Sequence, residues 1–284
     1  MHQQNCLNLC ELLPYQQKKN SDIRSIIKES CNKAGFKTIQ RIYIGSSFCG
    51  KYFLEQSDKQ IQQVQSFCEE QGVNLTLVIP PFSEGDLERG KKKINHILTS
   101  TKNIIDELTV NDYGMLVYLK KEYAKALNIG RLFMKDYRDP RYTEYFEIPW
   151  KPRVFTNYFK EILKEYQIKV CEFDLTHKIN DFSELPKNIE LAVHGPFCYQ
   201  TVGRICEYAS TNKEITEKFR ANSSCEGNCA DALIRYSVPD EKMESGMEYV
   251  RLGRTVYFEH PVYEIKGREQ YRYIHFPLEK KITQ

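Results

Sequence analysis

The residues of this sequence best suited to chemistry are its cysteines, of which the chain has ten among 284 residues. Cys225 and Cys229 form a Cys-x₃-Cys pair in a polar segment, and Cys206 lies upstream of that pair. The glycine and asparagine inside the pair allow the backbone to curve around a metal centre. Thiolates are natural ligands of iron–sulfur clusters and of zinc. Because such a pair also occurs by chance, the prediction of a metal centre depends on a fourth thiol.

A fourth thiol is available near the end of a predicted strand. Cys49 closely follows the predicted strand Arg41–Gly45, and Cys206 follows another strand that ends at Gly195. In a barrel of parallel strands the carboxyl ends open on one face, where functional groups collect. Cys49 is therefore expected to meet Cys206 and the late pair at this face. Cys198, upstream of Cys206, stays open as an alternative fourth ligand.

The elements that must position these thiols are predicted from short apolar runs that alternate with helical patterns. Apolar residues at helical spacing, such as Ile61, Val64 and Phe67, separate the runs. Strand–helix alternation predicts crossover connections and a parallel sheet. The predicted strands are Leu7–Leu13, Arg41–Gly45, Leu75–Ile79, Ile104–Val110, Arg131–Met134, Ile168–Phe173 and Ile189–Val193.

This alternation predicts an α/β fold of the (β/α) TIM-barrel type. An open doubly wound sheet is the alternative, but the turn Gly45–Gly50 lacks the Gly-x-Gly-x-x-Gly spacing that cradles a dinucleotide. Since the chain ends soon after two further strand-like pieces, we expect the barrel to be incomplete or distorted, with its last strand absent. Those pieces, Glu248–Phe258 and Gln270–His275, are separated by Pro261 and Gly267 and predict a small antiparallel addition.

The composition changes after residue 194, which predicts three regions. Residues 1–194 form the barrel-like domain, 195–235 a cysteine-rich segment that binds the cluster, and 236–284 a small antiparallel region packed on the barrel.

The remaining cysteines suit core packing, since free cysteine is readily buried. They are Cys6, Cys10, Cys31, Cys68 and Cys171.

The overall composition excludes several classes of protein. With 41% hydrophobic and 28% charged residues the chain is globular rather than disordered, and a net charge of +3 does not indicate nucleic-acid binding by bulk electrostatics. No apolar run is long enough to span a bilayer, and the first residues lack a secretory pattern. We therefore expect a cytoplasmic protein, in which a reducing environment favours thiol ligands over disulfides.

Polar residues that follow predicted strands are candidates for catalysis, because strand ends carry the chemistry of most barrel enzymes. His194 is suited to proton transfer near neutral pH, and Arg204 to binding a carboxylate. Asp112 is a third candidate. Each has a structural alternative, a hydrogen-bonded cap for the first and third and an ion pair for the arginine. Other polar residues after predicted strands are Asn111, Asp136, Asp174 and His177.

Several of these residues together resemble a known family. The stretch from His194 to Cys206 is similar to the central motif of the collagenase-like peptidase family U thirty-two, approximately His-Gly-x₂-Cys-x₄-Gly-Arg-Cys, with one residue more in this chain. Ile42–Lys51 resembles the first cysteine motif of UbiV-like members, which act in oxygen-independent ubiquinone hydroxylation. Cys225 and Cys229 resemble their late pair, and the likeness covers most of residues 38–235.

The resemblance implies a (β/α) barrel with a four-iron four-sulfur cluster on Cys49, Cys206, Cys225 and Cys229. It also implies hydroxylation, without molecular oxygen, of an aromatic small molecule or of a nucleobase in tRNA or rRNA. A prephenate-like molecule is the implied oxygen donor, and a related UbiU-like subunit the implied partner.

Two other functions stay open at this point. The family name suggests a peptidase, although the sequence has neither a Gly-x-Ser-x-Gly elbow nor a His-Glu-x-x-His helix. A non-catalytic partner subunit that holds zinc or a cluster is the other alternative, since four thiolates suit zinc equally well.

Overall fold

A computed structural model of the chain provides the structure. It describes residues 2–11, 22–100, 104–134, 149–176, 179–221, 223–230, 233–237, 248–259 and 264–278. In chain order its strands are β1 (His2–Asn8), β2 (Arg41–Gly45), β3 (Asn74–Ile79), β4 (Ile105–Val110), β5 (Ala126–Ile129), β6 (Val170–Asp174), β7 (Ile179–Asp181), β8 (Glu190–Gly195), β9 (Phe197–Val202), β10 (Ile234–Ser237), β11 (Glu248–Leu252), β12 (Thr255–Glu259), β13 (Glu264–Lys266) and β14 (Gln270–His275).

The helices lie between the barrel strands and begin and end at residues that suit helix termini. Asp22 caps the first helix by accepting a hydrogen bond from the Ser25 backbone N–H at 3.0 Å, and Gly35 ends it in the left-handed conformation. Thr156 caps the last in the same way. The helices are α1 (Ile23–Ala34), α2 (Gly50–Glu55), α3 (Asp58–Gln71), α4 (Glu84–Thr99), α5 (Tyr113–Glu122) and α6 (Asn157–Glu165).

Eight parallel strands close into a barrel in the order β1-β2-β3-β4-β5-β6-β8-β14, with β14 paired to β1. This confirms the predicted TIM-barrel-like α/β fold. The remaining strands form a four-stranded antiparallel sheet, in the order β10-β11-β12-β9, and a pair of β13 with β7. Strand β9 follows β8 almost directly, so the antiparallel sheet is attached at the carboxyl end of the barrel. No described helix is both apolar enough and long enough to cross a bilayer.

The expectation of an incomplete barrel is wrong, because the last strand is present. The segment Gln270–His275, predicted to belong to the antiparallel addition, is β14 and pairs in parallel with β1 and β8. Its side chains explain this placement. Tyr271 and Tyr273 belong to the apolar cluster between barrel and helices, whereas Arg272 forms ion pairs with residues of β4 and β8. Of the two pieces predicted to form the antiparallel addition, only Glu248–Phe258 belongs to the antiparallel sheet, in which it forms the hairpin of β11 and β12.

One predicted strand is also misplaced. The run Arg131–Met134 is a turn, in which the Phe133 and Met134 backbone N–H groups bond to the carbonyls of Gly130 and Arg131. The fifth barrel strand is the preceding segment Ala126–Ile129. The structure begins the first strand at His2 and ends it at Asn8, earlier than the predicted Leu7–Leu13.

The barrel strands alternate between an apolar outer face and a polar inner face. Ile42, Leu108 and Leu191 contribute to the apolar cluster that packs against the helices. Their neighbours in sequence point the other way, as the period of two in a strand requires. Arg41 and Glu107 are among these inward residues, and both are buried. The apolar runs in the sequence indicated strands but did not indicate this polar interior.

Ion pairs cross the barrel near the amino ends of the strands. The Arg272 guanidinium donates to both carboxylate oxygens of Glu107, at 2.7 and 3.0 Å, and to Glu190 at 2.6 Å. Arg41 lies 3.3 Å from Glu107 and also pairs with Asp106 at 2.8 Å. Burial alone would raise the pKa of Glu107, but the two arginines hold that pKa below its usual value. The last strand is thereby joined to the middle of the barrel.

We expect Arg272→Met to destabilise the protein by about 3–5 kcal/mol, because it leaves the buried Glu107 and the half-buried Glu190 without this cation. Urea unfolding followed by circular dichroism measures the change. The matched variant Arg24→Met removes a pair with Glu70 in which both side chains are more than half exposed. It should change the free energy of unfolding by less than about 1 kcal/mol. Equal losses in the two variants would show that the barrel does not depend on the buried pairs.

Candidate functional site

A cavity of about 550 Å³ opens at the carboxyl end of the barrel strands. Its walls come from the segments that follow β1, β2 and β3, from the region after β9, and from the turn between β11 and β12. This is the end of the barrel where the loops of (β/α) enzymes carry functional groups. The volume is in the range of small-molecule sites in other proteins.

The four predicted ligand cysteines all line this one cavity. They are Cys49, Cys206, Cys225 and Cys229. Each is half-buried, and the thiols are close enough to influence one another electrostatically. Thiols from three distant parts of the sequence therefore line one cavity. In their present arrangement, no group of three or more His, Cys, Asp or Glu side chains in the described ranges is set to hold a metal ion.

Cys49 is positioned by the end of β2. Gly45 has a φ of 107°, and a Cβ at this position would overlap the Val78 carbonyl oxygen, so the turn requires glycine. The Ser46 hydroxyl then accepts the backbone N–H of Cys49 at 2.9 Å. The same hydroxyl donates to the carboxylate of Glu11 at 2.6 Å. The loop that carries Cys49 is thus tied to the segment after β1.

The other three cysteines lie in irregular segments that contact one another. Cys206 leads into a short 3₁₀ turn, in which the Ser210 hydroxyl donates to the Cys206 carbonyl at 3.2 Å. The Asn228 side-chain amide donates to the Tyr208 carbonyl at 3.2 Å, which joins the late pair to this turn. Gly227 lies between the late cysteines in a left-handed conformation, as their curved segment was expected to need.

Backbone N–H groups approach the sulfur atoms. The Gly227 N–H donates to Cys225 Sγ at 3.4 Å. The backbone amide of Tyr52 lowers the pKa of Cys49, and those of Ala209 and Tyr208 lower the pKa of Cys206. Hydrogen bonds of this kind favour the thiolate over the thiol. They also tune the sulfur ligands of bound metal centres.

The pKa values of the thiols show that the protein alone does not favour the thiolate form at these cysteines. Burial raises the pKa of Cys49 and Cys206, and it raises the pKa of Cys229 to about 12. The neighbouring thiols raise these values further, while Arg254 lowers those of Cys49 and Cys206. A metal centre would supply the positive charge that lets all four thiols ionise.

Three arginines also line the cavity, namely Arg204, Arg220 and Arg254. None of them has a carboxylate partner among the described residues, whereas Lys51 in the same wall is paired with Asp86 at 2.8 Å. Arg204, one of the predicted catalytic residues, therefore lines the same cavity as the four cysteines. Guanidinium groups without partners are suited to bind an anion.

Glu11 is a cavity residue that the sequence did not reveal. It is buried and has a φ of 59°, a conformation that costs a residue other than glycine about 1–3 kcal/mol. Its Oε1 accepts hydrogen bonds from the Ser46 hydroxyl and from the Ser47 and Phe48 backbone. Its Oε2 is buried without a partner in the described parts of the chain. Burial raises the pKa of this carboxyl. The predicted first strand ran through Glu11, which concealed it.

The alternative ligand Cys198 does not join the other thiols. It is fully buried on β9, does not line the cavity, and its Sγ donates to the His194 carbonyl at 3.1 Å. The structure therefore brings Cys49, and not Cys198, to the three later cysteines.

The other predicted catalytic residues lie away from the cavity wall. His194 is inside the barrel, where its Nε2 lies 2.9 Å from Glu172 Oε2, and burial lowers its pKa. Asp112 caps α5 by accepting the Met115 N–H at 2.9 Å, the structural alternative given for it. Neither lines the cavity. Their catalytic roles stay predictions. Asp136 and His177 fall outside the described residues.

Comparisons with protein-family models, with curated proteins and with solved structures gave no match to this chain. The resemblance to the collagenase-like peptidase family stays a prediction that depends on the cysteine motifs.

Proposed function

We propose that this chain binds an iron–sulfur cluster on Cys49, Cys206, Cys225 and Cys229 and takes part in a redox reaction at the adjoining cavity. The observation that supports this proposal is the meeting of four thiols from three separate segments at one cavity. Cysteine rarely collects at a half-buried site for packing alone, since packing favours full burial. Cys6, Cys10 and Cys171 show that ordinary behaviour, because all three are fully buried in the barrel.

The donor set fits a cluster in type and surroundings. Thiolates ligate iron–sulfur clusters, and the N–H groups that approach three of the sulfur atoms are the contacts that such clusters need. In the described structure the four thiols line one cavity without surrounding a common centre. Ligation would therefore require the four thiols to come closer together. When bound, a cluster supplies or accepts single electrons at a potential set by burial and hydrogen bonding.

The reaction that we propose is an oxygen-independent hydroxylation of an aromatic small molecule or a nucleobase. The type of reaction comes from the resemblance in the cysteine motifs. Arg204 supports an anionic reactant, because its guanidinium lines the cavity without a carboxylate partner in the described chain. A prephenate-like oxygen donor has carboxylates that such a group would bind. The chain would act alone or as the cluster-bearing subunit beside a UbiU-like partner.

We expect the protein purified without oxygen to be brown and to contain about four iron and four sulfide per chain. Elemental analysis and the visible spectrum measure this. A colourless protein with one zinc per chain would contradict the cluster and favour the alternative of a structural subunit, because four thiolates also suit zinc. Within the described residues, no observation favours a peptidase.

We expect Cys49→Ala to lose most of the bound iron, because one of the four ligands is removed. Cys198→Ala is the matched control. Its thiol is bonded to a backbone carbonyl outside the cavity. This variant should keep its iron content and visible spectrum, and only its thermal stability should fall. The reverse result, with iron lost in Cys198→Ala and kept in Cys49→Ala, would overturn the ligand assignment. Iron and sulfide per folded chain are the measured quantities.

A further inference from the structure

The segment that follows β9 exposes large apolar side chains beside the cysteine cavity. Ile205 is 47% exposed, Phe219 57% and Ile215 84%. Hydrogen bonds hold two of these positions together. The Ser210 hydroxyl accepts the Phe219 N–H at 2.9 Å and donates at 3.2 Å to the carbonyl of Cys206, the residue after Ile205. A single exposed apolar residue is common in folded proteins, whereas a group of them rimmed by polar residues marks an interaction surface.

The backbone of Phe219 is strained in a way that packing does not explain. Its φ of 56° lies in the left-handed region, which costs a bulky residue about 1–3 kcal/mol. Burial of the side chain would compensate for such strain in a core, but more than half of Phe219 is exposed. Strained residues cluster at sites that bind other molecules, and aromatic residues are enriched in protein interfaces. The strain at Phe219 therefore supports an interaction at this surface.

Arginines stand next to two of the exposed apolar residues. Arg204 precedes Ile205 and Arg220 follows Phe219, and both arginines are exposed and line the cysteine cavity. Neither has a carboxylate partner among the described residues. Cations of this kind beside an apolar group suit a partner that carries carboxylates at the matching positions. We call Arg204, Ile205, Phe219 and Arg220 the docking surface.

Glutamates in the same segment distinguish a protein partner from a lipid surface. Glu214 and Glu217 are exposed and flank the turn that contains Ile215. An anionic bilayer presents negative charge over its whole surface and would repel them. A protein, in contrast, can place its carboxylates opposite the two arginines alone. The charges of this segment therefore favour a protein over a membrane.

We propose that the docking surface binds a small electron-transfer protein that has carboxylates around its redox centre. Cys206, a ligand of the proposed cluster, directly follows Ile205, so a partner on this surface lies beside the cluster. One electron passes from the reduced centre of the partner to the cluster. The partner is thereby oxidised and the cluster reduced by one electron, and no bond forms or breaks. This names the electron donor of the proposed function and rests on that function for the cluster.

The first test measures binding, which does not require the cluster. The probe is a fluorescently labelled plant-type ferredoxin, a small acidic protein with a two-iron two-sulfur centre, and fluorescence anisotropy measures its affinity for the protein purified without oxygen. We expect the affinity to fall at least about tenfold between low salt and about 0.3 M salt, because salt screens the attraction between carboxylates and arginines. Absence of ferredoxin binding at low salt, or binding to phosphatidylserine vesicles in its place, would overturn the proposal.

Variants assign the binding to the docking surface. Phe219→Asn should weaken binding several-fold by removing the apolar contact, and it should fold normally because asparagine accepts the left-handed conformation. Arg220→Glu should weaken binding and reduce its salt dependence. Val117→Ser, at a 53% exposed position on α5, and Arg24→Glu, which changes the net charge equally, are the controls, and neither residue lines the cavity. Wild-type affinity in Phe219→Asn, or an equal loss in Val117→Ser, would show that ferredoxin binds elsewhere.

Stopped-flow reduction of the same samples separates this proposal from the proposed function. Reduced ferredoxin should reduce the wild-type cluster several-fold faster than the cluster of Phe219→Asn, whereas dithionite, a small reductant, should reduce both at the same rate. Equal rates with ferredoxin would refute the docking surface and leave the cluster intact. A protein that binds ferredoxin with the expected effects of the variants but contains no iron would refute only the cluster.

Discussion

The closed barrel depends on charges buried across its interior. Arg272 of β14 bonds to Glu107 of β4 and to Glu190 of β8, so one guanidinium connects the last strand to the far side of the barrel and to its neighbour. Hydrophobic burial on the outer faces fixes the strands against the helices, but it does not by itself select which strand closes the ring. The buried cation of Arg272 contributes to this selection, because a strand arrangement that left it unpaired would be costly.

Buried hydrogen bonds and ion pairs also connect the strands toward their carboxyl ends. At mid-height the Thr109 hydroxyl donates to Glu172 at 2.6 Å, and His194 bonds to the other oxygen of that carboxylate. Nearer the cavity, the Arg131 side chain donates to Asp174 at 2.8 Å and lies over the Phe48 ring at 5.0 Å. Phe48 precedes Cys49. Buried polar contacts inside the barrel thus extend to the loop that carries Cys49. The position of the Cys49 thiol therefore depends on these contacts.

The sequence predicted the barrel, and it singled out four cysteines that line one cavity, but it missed the features that depend on contacts distant in sequence. Apolar runs located five of the eight barrel strands and overlapped β1 at Leu7 and Asn8, because strands that pack against helices carry periodic apolar residues. Gln270–His275 was assigned to the wrong sheet because its pattern indicates a strand without indicating a partner. Cys49 was found because it follows a strand. Glu11 was not found, since only the fold brings it to Ser46, and His194 looked catalytic because sequence does not distinguish a strand's inner face from its end.

Glu11 joins the segment after β1 to the loop that carries Cys49. One of its oxygens holds Ser46 and the backbone before Cys49, and the other is buried without a partner among the described residues. A change in the position of the Cys49 loop would therefore move the Glu11 carboxyl, and the hydrogen bonds of that carboxyl in turn restrain the loop. The strained backbone at Glu11 persists because these contacts over-determine it.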